Sequence, residues 1–229
     1  GKTWSEREIY PLPTSDSRSA RYEHLGSNNT WIKLAEPTAE AIRQAFLAHE
    51  SRISIEHPVL PSLWVSSVVI EGSDILESTD IELSPELNSV IGGRGSGKSS
   101  FLEYLSFGIG RSSYDVPRAH YSGTERLHGL IKDTLISQAG SVVVTLIQDN
   151  AVFRITRNAS TAHQPQITDP NGDSQPVSLN ELRSLFPAVV YSQGELAEIG
   201  KQTGTKTKLT DLLQFVNPDY KREDDALLQ

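Results

Sequence analysis

From Leu63 onward the chain breaks into short apolar runs, Leu63–Glu71, Thr79–Leu83 and Leu87–Ile91, separated by Gly72-Ser73-Asp74 and Ser84-Pro85. Such runs between turn-forming residues predict strands. A glycine-rich stretch follows, after which Phe101, Leu102 and Leu105 recur at helical spacing and predict a helix from Lys98 to about Phe107 with those three on its buried side. Residues 108–124 are less regular, and a second helix is predicted from Glu125 to Ile136. Ser141–Ile147 and Val152–Thr156 are β-rich and joined through Gln148-Asp149-Asn150-Ala151, which predicts a hairpin turning at Asp149-Asn150. Residues 158–176 are polar, carry Pro165, Pro170 and Asn171-Gly172, and read as a surface excursion. Ser178 with Glu181 three residues on is the capping-box pattern of a short helix. Ala188–Tyr191 reads as a short apolar strand, Thr207–Val216 as a helix carrying Leu209, Leu212, Leu213 and Val216, and residues 219–229 as the start of a charged helix or coiled coil.

Upstream the pattern is weaker. Residues 1–36 are punctuated by prolines, serines, glycine and asparagines without a sustained period. A helix is predicted from Pro37 to about Leu47, with Pro37 and Thr38 in its first turn and Ile42, Ala45 and Phe46 at helical spacing. Pro58 and Pro61 place a domain boundary near residue 60.

Composition narrows the class. With 229 residues, 37% of them hydrophobic, the chain can bury the core of one large or two modest domains. No apolar stretch approaches the roughly 20 residues of a membrane helix, and the N-terminal residues do not resemble a signal peptide, so a cytoplasmic protein with no membrane partner is expected. The absence of cysteine removes disulfides, thiolate nucleophiles and cysteine-based zinc sites. The absence of methionine leads us to expect a piece of a longer protein. A net charge of -8 argues against strong duplex binding by this segment alone, since neutralising phosphates needs clustered Lys and Arg.

The candidate chemistry lies between the third apolar run and the first helix of the second domain. Gly92-Gly93-Arg94-Gly95-Ser96-Gly97-Lys98-Ser99 satisfies G-x-x-x-x-G-K-[ST], the phosphate-binding P-loop, in a strand-loop-helix setting. Converging backbone N–H groups on an anion requires dihedrals and close approach that glycine tolerates. Lys98 adds a positive charge at the β- and γ-phosphates, Ser99 is placed to ligate Mg²⁺, and Ser100 lies beside it in the first turn, where N–H groups and the helix dipole favour an anion. Arg94 either reaches a phosphate or projects into solvent. ATP and Mg²⁺ are the expected ligands.

Val189-Val190-Tyr191-Ser192-Gln193-Gly194-Glu195-Leu196 places a glutamine and a glycine after an apolar run. Alone this is an ordinary strand-to-helix junction. Together with the P-loop it resembles the ATPase head of the SMC/Rad50/RecF branch of the ABC class over residues 63–229. The resemblance implies an α/β P-loop NTPase fold, the N-terminal lobe of an ABC/SMC-type head, with a mixed sheet and a β-hairpin subdomain over 61–218. It also implies that Gln193 contacts Mg²⁺ and the attacking water, and that adenine is the preferred base. Neither a Ser-Gly-Gly signature nor an apolar strand ending in Asp-Glu is present. In that family both follow a long coiled coil, so the catalytic residue is unknown in this chain. Glu195 and Glu198 are the nearest acids, and an acid at such a position is more often structural.

The first 57 residues carry a second resemblance. Pro13 to Ser19, Thr30-Trp31-Ile32-Lys33-Leu34 and Glu36-Pro37-Thr38 look like the end of a PHP-type phosphoesterase domain. There Asp16 would fit a metal-binding Asp, but Arg18 stands where a histidine belongs, and arginine cannot ligate a metal. The site is either degenerate or these are turn residues. Residues 1–60 are thus expected to be a small α+β remnant and linker. The combined expectation is a head that dimerises with a second copy on binding ATP and acts on DNA, or with a DNA-acting nuclease, in repair or antiphage defence. A nucleotide-sensing regulatory subunit is the alternative, and a P-loop kinase or NTPase complete within the chain is disfavoured for want of a downstream acid.

Overall fold

In the computed structural model, which describes residues 12–115 and 124–192, the proline-bracketed segment at Pro58 and Pro61 falls at the junction of two units, Gly1–Leu60 and Pro61–Gln229. In the first, β1 (Trp31–Ile32) pairs antiparallel with β2 (Ile53–Ser54) around α1 (Ala39–Leu47) and the single turn α2 (His49–Arg52). Thr38 stays extended and its hydroxyl accepts the Ala41 N–H at 3.2 Å, so it is the N-cap and α1 begins at Ala39, two residues later than predicted. Ala45 and Ile53 are the buried apolar residues of this small unit, while Ile42 and Phe46 remain exposed.

The second unit is built on one six-stranded sheet. β3 (Leu63–Glu71) and β4 (Thr79–Glu82) precede α3 (Lys98–Gly108), and α4 (Thr124–Ile131) runs into a π-helical turn, Lys132–Ile136. β5 (Ser141–Gln148), β6 (Ala151–Asn158), β7 (Gln166–Thr168), β8 (Ser174–Pro176) and α5 (Leu179–Leu185) follow. The spatial order is β4-β3-β5-β6-β7-β8, and every pairing is antiparallel. This corrects the expected mixed sheet, since among the described residues no strand finds a parallel partner.

The period of the strands dictates the core. Val142, Val144 and Leu146 alternate on one face of β5, Val68 and Ile70 flank them on β3, and Ile155 continues the layer on β6. Phe101, Tyr104 and Phe107 of α3 cover that face together with Ile131 and Leu135. Gly108 permits the close approach, because a Cβ there would meet the methyl groups of Val142 and Val144. The hairpin turns at Asp149 (φ 49°) and Asn150 (φ 68°), both left-handed, as a two-residue type I′ connection requires.

Arg157 of β6 lies under this layer with no solvent exposure. Its guanidinium donates to Asp115 Oδ1 at 2.7 Å and Oδ2 at 3.0 Å, and to the carbonyls of Phe107 and Ala162. It also sits 3.8 Å above the Phe107 ring. Behind α3, Arg111 donates to the carbonyl of Arg183, and Arg183 to that of Gly110, bracing α5 against the end of α3. Burial, and then the charge of Arg183, holds the Arg111 guanidinium below its ordinary pKa.

Three further expectations change. Leu87–Ile91 is not a strand, and neither is Ala188–Tyr191, because neither segment pairs with a strand among the described residues. Residues 158–176 are not merely a surface excursion: they carry β7 and β8 to the edge of the sheet and bury Ala162, Pro165 and Ile167. Leu102 is largely exposed, and Glu103 is turned inward with Phe101. The segments Thr207–Val216 and 219–229 lie outside the described residues. Among the described residues no helix is long and apolar enough to cross a membrane.

Candidate nucleotide-binding site

The approach to the P-loop is fixed by one side chain. Asn88 Oδ1 accepts the Ser84 N–H at 2.8 Å and its amide donates to the carbonyls of Ser84 and Glu86, closing a turn where the sequence pattern predicts the start of a strand. Val90 and Ile91 then lead into the glycines outside any helix or strand and open to solvent.

Gly97 shows why glycine is needed before the lysine. It adopts φ 82° at the N-cap of α3, and a Cβ there would run into the Leu76 side chain. Gly95 also lies in the left-handed region at φ 80°. Lys98 Nζ donates to the Gly92 carbonyl at 2.7 Å and to that of Gly93, curling its charge back over the loop. The Ser96 hydroxyl donates to Gly93 O at 3.0 Å and braces the same turn. Lys98 Nζ also donates to Ser96 Oγ at 3.4 Å, so all three ammonium donors are turned onto the loop and a phosphate oxygen would bind by displacing one of these contacts. The N–H groups of the first turn of α3 have no partner carbonyl one turn earlier within the helix and point along its axis toward the loop. This donor set, cationic and N–H-rich with a serine hydroxyl at its end, fits a polyphosphate with a hard cation. Lys98 would take the phosphate and Ser99 the metal.

The wall beside Gly97 is held from behind. The Ser73 hydroxyl accepts the N–H groups of Ile75 and Leu76 at 3.1 and 3.2 Å, and lies 2.9 Å from Tyr104 Oη, itself 2.7 Å from Thr134 Oγ1. Thr134 passes its own proton to the Leu130 carbonyl at 2.5 Å. The donors therefore run in one direction, Ser73 to Tyr104 to Thr134, and lock the turn after β3 onto α3 and the π-helical turn.

Of the predicted residues, Gly92, Gly93, Arg94, Gly95, Ser96, Gly97, Lys98 and Ser99 are gathered in this one loop and helix start. Arg94 is exposed, and Ser100 is buried in the first turn of α3. Gln193 lies outside the described residues. Sequence reasoning missed Glu103, which is 4% exposed and accepts the Ser192 hydroxyl through Oε1 at 2.6 Å. Its signal was a lone acid four residues after Ser99, on the same helical face. In the first unit, Asp16 and Arg18 face each other at the surface, 3.8 Å apart, and among the described residues no group of three His, Asp or Glu could hold a metal.

A glycine-lined loop ahead of a helix, with its lysine folded over the loop carbonyls and a serine behind it, defines a P-loop NTPase. Residues 67–224 match the family model of the AAA domain, and the chain belongs to that family. Membership makes this a nucleotide-binding ATPase domain and implies a nucleotide, usually accompanied by Mg²⁺. No curated protein matches the chain.

Proposed function

We propose that this chain is the ATP- and Mg²⁺-binding N-terminal half of an SMC/Rad50-like head, which closes on a second copy when ATP binds and reopens on hydrolysis. The observation that carries the reading is the state of the segment entering the P-loop. Leu87 and Ile91 are each 90% exposed and Val90 43%, and none pairs with a strand among the described residues. An apolar run leading into a P-loop is normally a central, buried strand of a parallel sheet. Its exposure here supports completion by further strands from elsewhere in the protein, where an acidic base for water would also reside.

Within this reading Lys98 and the loop N–H groups bind and orient the phosphates, Ser99 and Gln193 hold Mg²⁺, and the ion neutralises charge developing on the phosphates. The apposed head would exclude water from the site. DNA, or a nuclease acting on it, is the proposed partner, with repair or antiphage defence as the setting and the cytoplasm as the compartment. The first unit is proposed to be the end of a PHP-like domain whose metal site is lost at Arg18.

The test compares ATP turnover and solution mass for the full-length protein, this 229-residue chain and a Lys98→Ala variant, each with ATP and Mg²⁺. Turnover and ATP-dependent dimerisation confined to the unmutated full-length protein is the expected result. ATP binding without turnover there would favour a nucleotide sensor, and Lys98-dependent turnover by the monomeric chain would overturn the split-head reading.

A further inference from the structure

The six-stranded sheet has a second face. α3, α4 and α5 all lay buried side chains against the side formed by Val68, Ile70, Val142, Val144 and Ile155. The strand period turns the alternate residues the other way. Register sorts them into rungs that cross β4, β3, β5 and β6: Asp80, Val69, Val143 and Thr156 on one, Glu82, Ser67, Thr145 and Arg154 on the next. Further along, Trp64, Ile147 and Val152 stand side by side. None of these apolar residues is buried or belongs to the core cluster, and Val152 is 47% exposed.

The outer face of an antiparallel sheet is polar where it simply meets water. Here Val69 adjoins Val143, and Trp64, Ile147 and Val152 adjoin in one row, so the apolar surface is continuous and not scattered. Glu82 and Arg154 close the two ends of one rung. They are three strand spacings apart, about 14 Å, too far to pair with each other. Among the described residues neither side chain has a hydrogen-bonded or ionic partner.

The order of these residues is self-complementary. A two-fold axis along the strands, midway between β3 and β5, turns β4 onto the β6 of a second copy and β3 onto its β5, with every rung kept at its height. Each rung then faces itself in reverse. Glu82 meets Arg154, Val69 meets Val143, Ser67 meets Thr145 and Asp80 meets Thr156, each contact occurring twice as in any closed dimer. Packed sheets lie about 10 Å apart, a gap that a glutamate and an arginine together span.

We infer that this face is an interface between two copies of the chain, paired sheet to sheet without nucleotide, with Glu82 of each against Arg154 of the other. It goes beyond the ATP-driven closure proposed above and does not rest on it. Four strands about 4.8 Å apart, over seven residues at about 3.4 Å each, give a footprint of roughly 450 Å² per copy. That lies below the area of a permanent complex, so the pairing is reversible, with a Kd in the micromolar range.

The test is sedimentation equilibrium of the 229-residue chain without nucleotide. Wild type should show a monomer-dimer equilibrium. Glu82→Arg and Arg154→Glu should each raise the Kd at least tenfold, because each change sets like charges against one another at both ends of the interface. Mixed in equal amounts, the two single variants should pair again to within about threefold of wild type, since each offers the charge the other lacks, and native mass spectrometry should find the heterodimer. Val143→Asp should abolish the dimer with the circular dichroism spectrum unchanged. A wild type still monomeric at about 100 µM, single charge changes without effect, or mixed variants that stay monomeric would overturn the inference. So would self-association abolished by Leu87→Lys/Ile91→Thr and indifferent to Glu82 and Arg154. With no nucleotide present, each result is independent of whether the heads close on ATP.

Discussion

Removing the Asp115 carboxylate while leaving Arg157 in place should be the most damaging conservative-sized change in the second unit. Both side chains are fully buried and paired through two hydrogen bonds of 2.7 and 3.0 Å. The remaining Arg157 donors go to the Phe107 and Ala162 carbonyls, while its Nε finds no acceptor among the described residues. In Asp115→Ala the guanidinium keeps two carbonyls and the Phe107 ring but loses its only ionic partner among the described residues. Breaking a buried pair from one side costs about 3–5 kcal/mol, against roughly 0–1 kcal/mol for an exposed pair. With a urea slope of about 2 kcal/mol/M the midpoint should fall by about 2 M. Asp115→Ala/Arg157→Met removes both charges and keeps most of the volume, so it should regain most of that loss, as charge-free replacements of buried pairs generally do. Equilibrium urea unfolding followed by tryptophan fluorescence and by circular dichroism measures both. A single-variant loss below about 1 kcal/mol, or a double variant as unstable as the sum of its parts, would refute the claim that the pair is dry and mutually dependent.

Other consequences are open to direct test. Gly97→Ala should cost about 1–2 kcal/mol from its left-handed backbone alone and weaken ATP binding at least tenfold; Gly97→Ala/Leu76→Ala should recover part of the stability by removing the collision with Leu76, as thermal unfolding and nucleotide titration would reveal. Ser178→Ala should lower stability by about 1 kcal/mol through loss of the α5 N-cap. The hydroxyl and N–H of Ser178 hold Glu181 below its ordinary pKa of 4.5, so its contribution is complete above that value and disappears as pH falls through the lowered one. Carboxyl NMR titration should show the shift reduced in Ser178→Ala. With its net charge of -8, the isolated chain should not bind duplex DNA tightly in 150 mM salt; salt-sensitive submicromolar binding by fluorescence anisotropy would contradict that.

What could be foreseen was whatever local chemistry determines. The Asp149-Asn150 turn, the Ser178 and Glu181 capping box and the glycines ahead of Lys98 each need particular residues at particular dihedrals, and all three appear as read. What depends on distant partners was misread. Leu87–Ile91 has strand composition, yet Asn88 closes a turn instead, because apolar residues form a strand only where another strand meets them. Ile167 and Ala162 are buried amid prolines and polar residues, since β7 needs only three residues to extend an existing edge. On α3 the spacing of large apolar residues marked Leu102 as inward. The helix instead turns Glu103 inward to meet Ser192, a residue that no periodicity connects to it.

The bare stretch at Leu87 and Ile91 also governs how this protein must be handled. Two nearly fully exposed aliphatic side chains flank a backbone with no sheet neighbour among the described residues, and that combination favours apolar association between copies. Colloidal behaviour in storage, crystallisation and recombinant expression should thus respond to changes at Leu87 and Ile91 that leave the interior untouched. Leu87→Lys with Ile91→Thr would raise the concentration at which the chain remains monodisperse while leaving its melting temperature nearly unchanged.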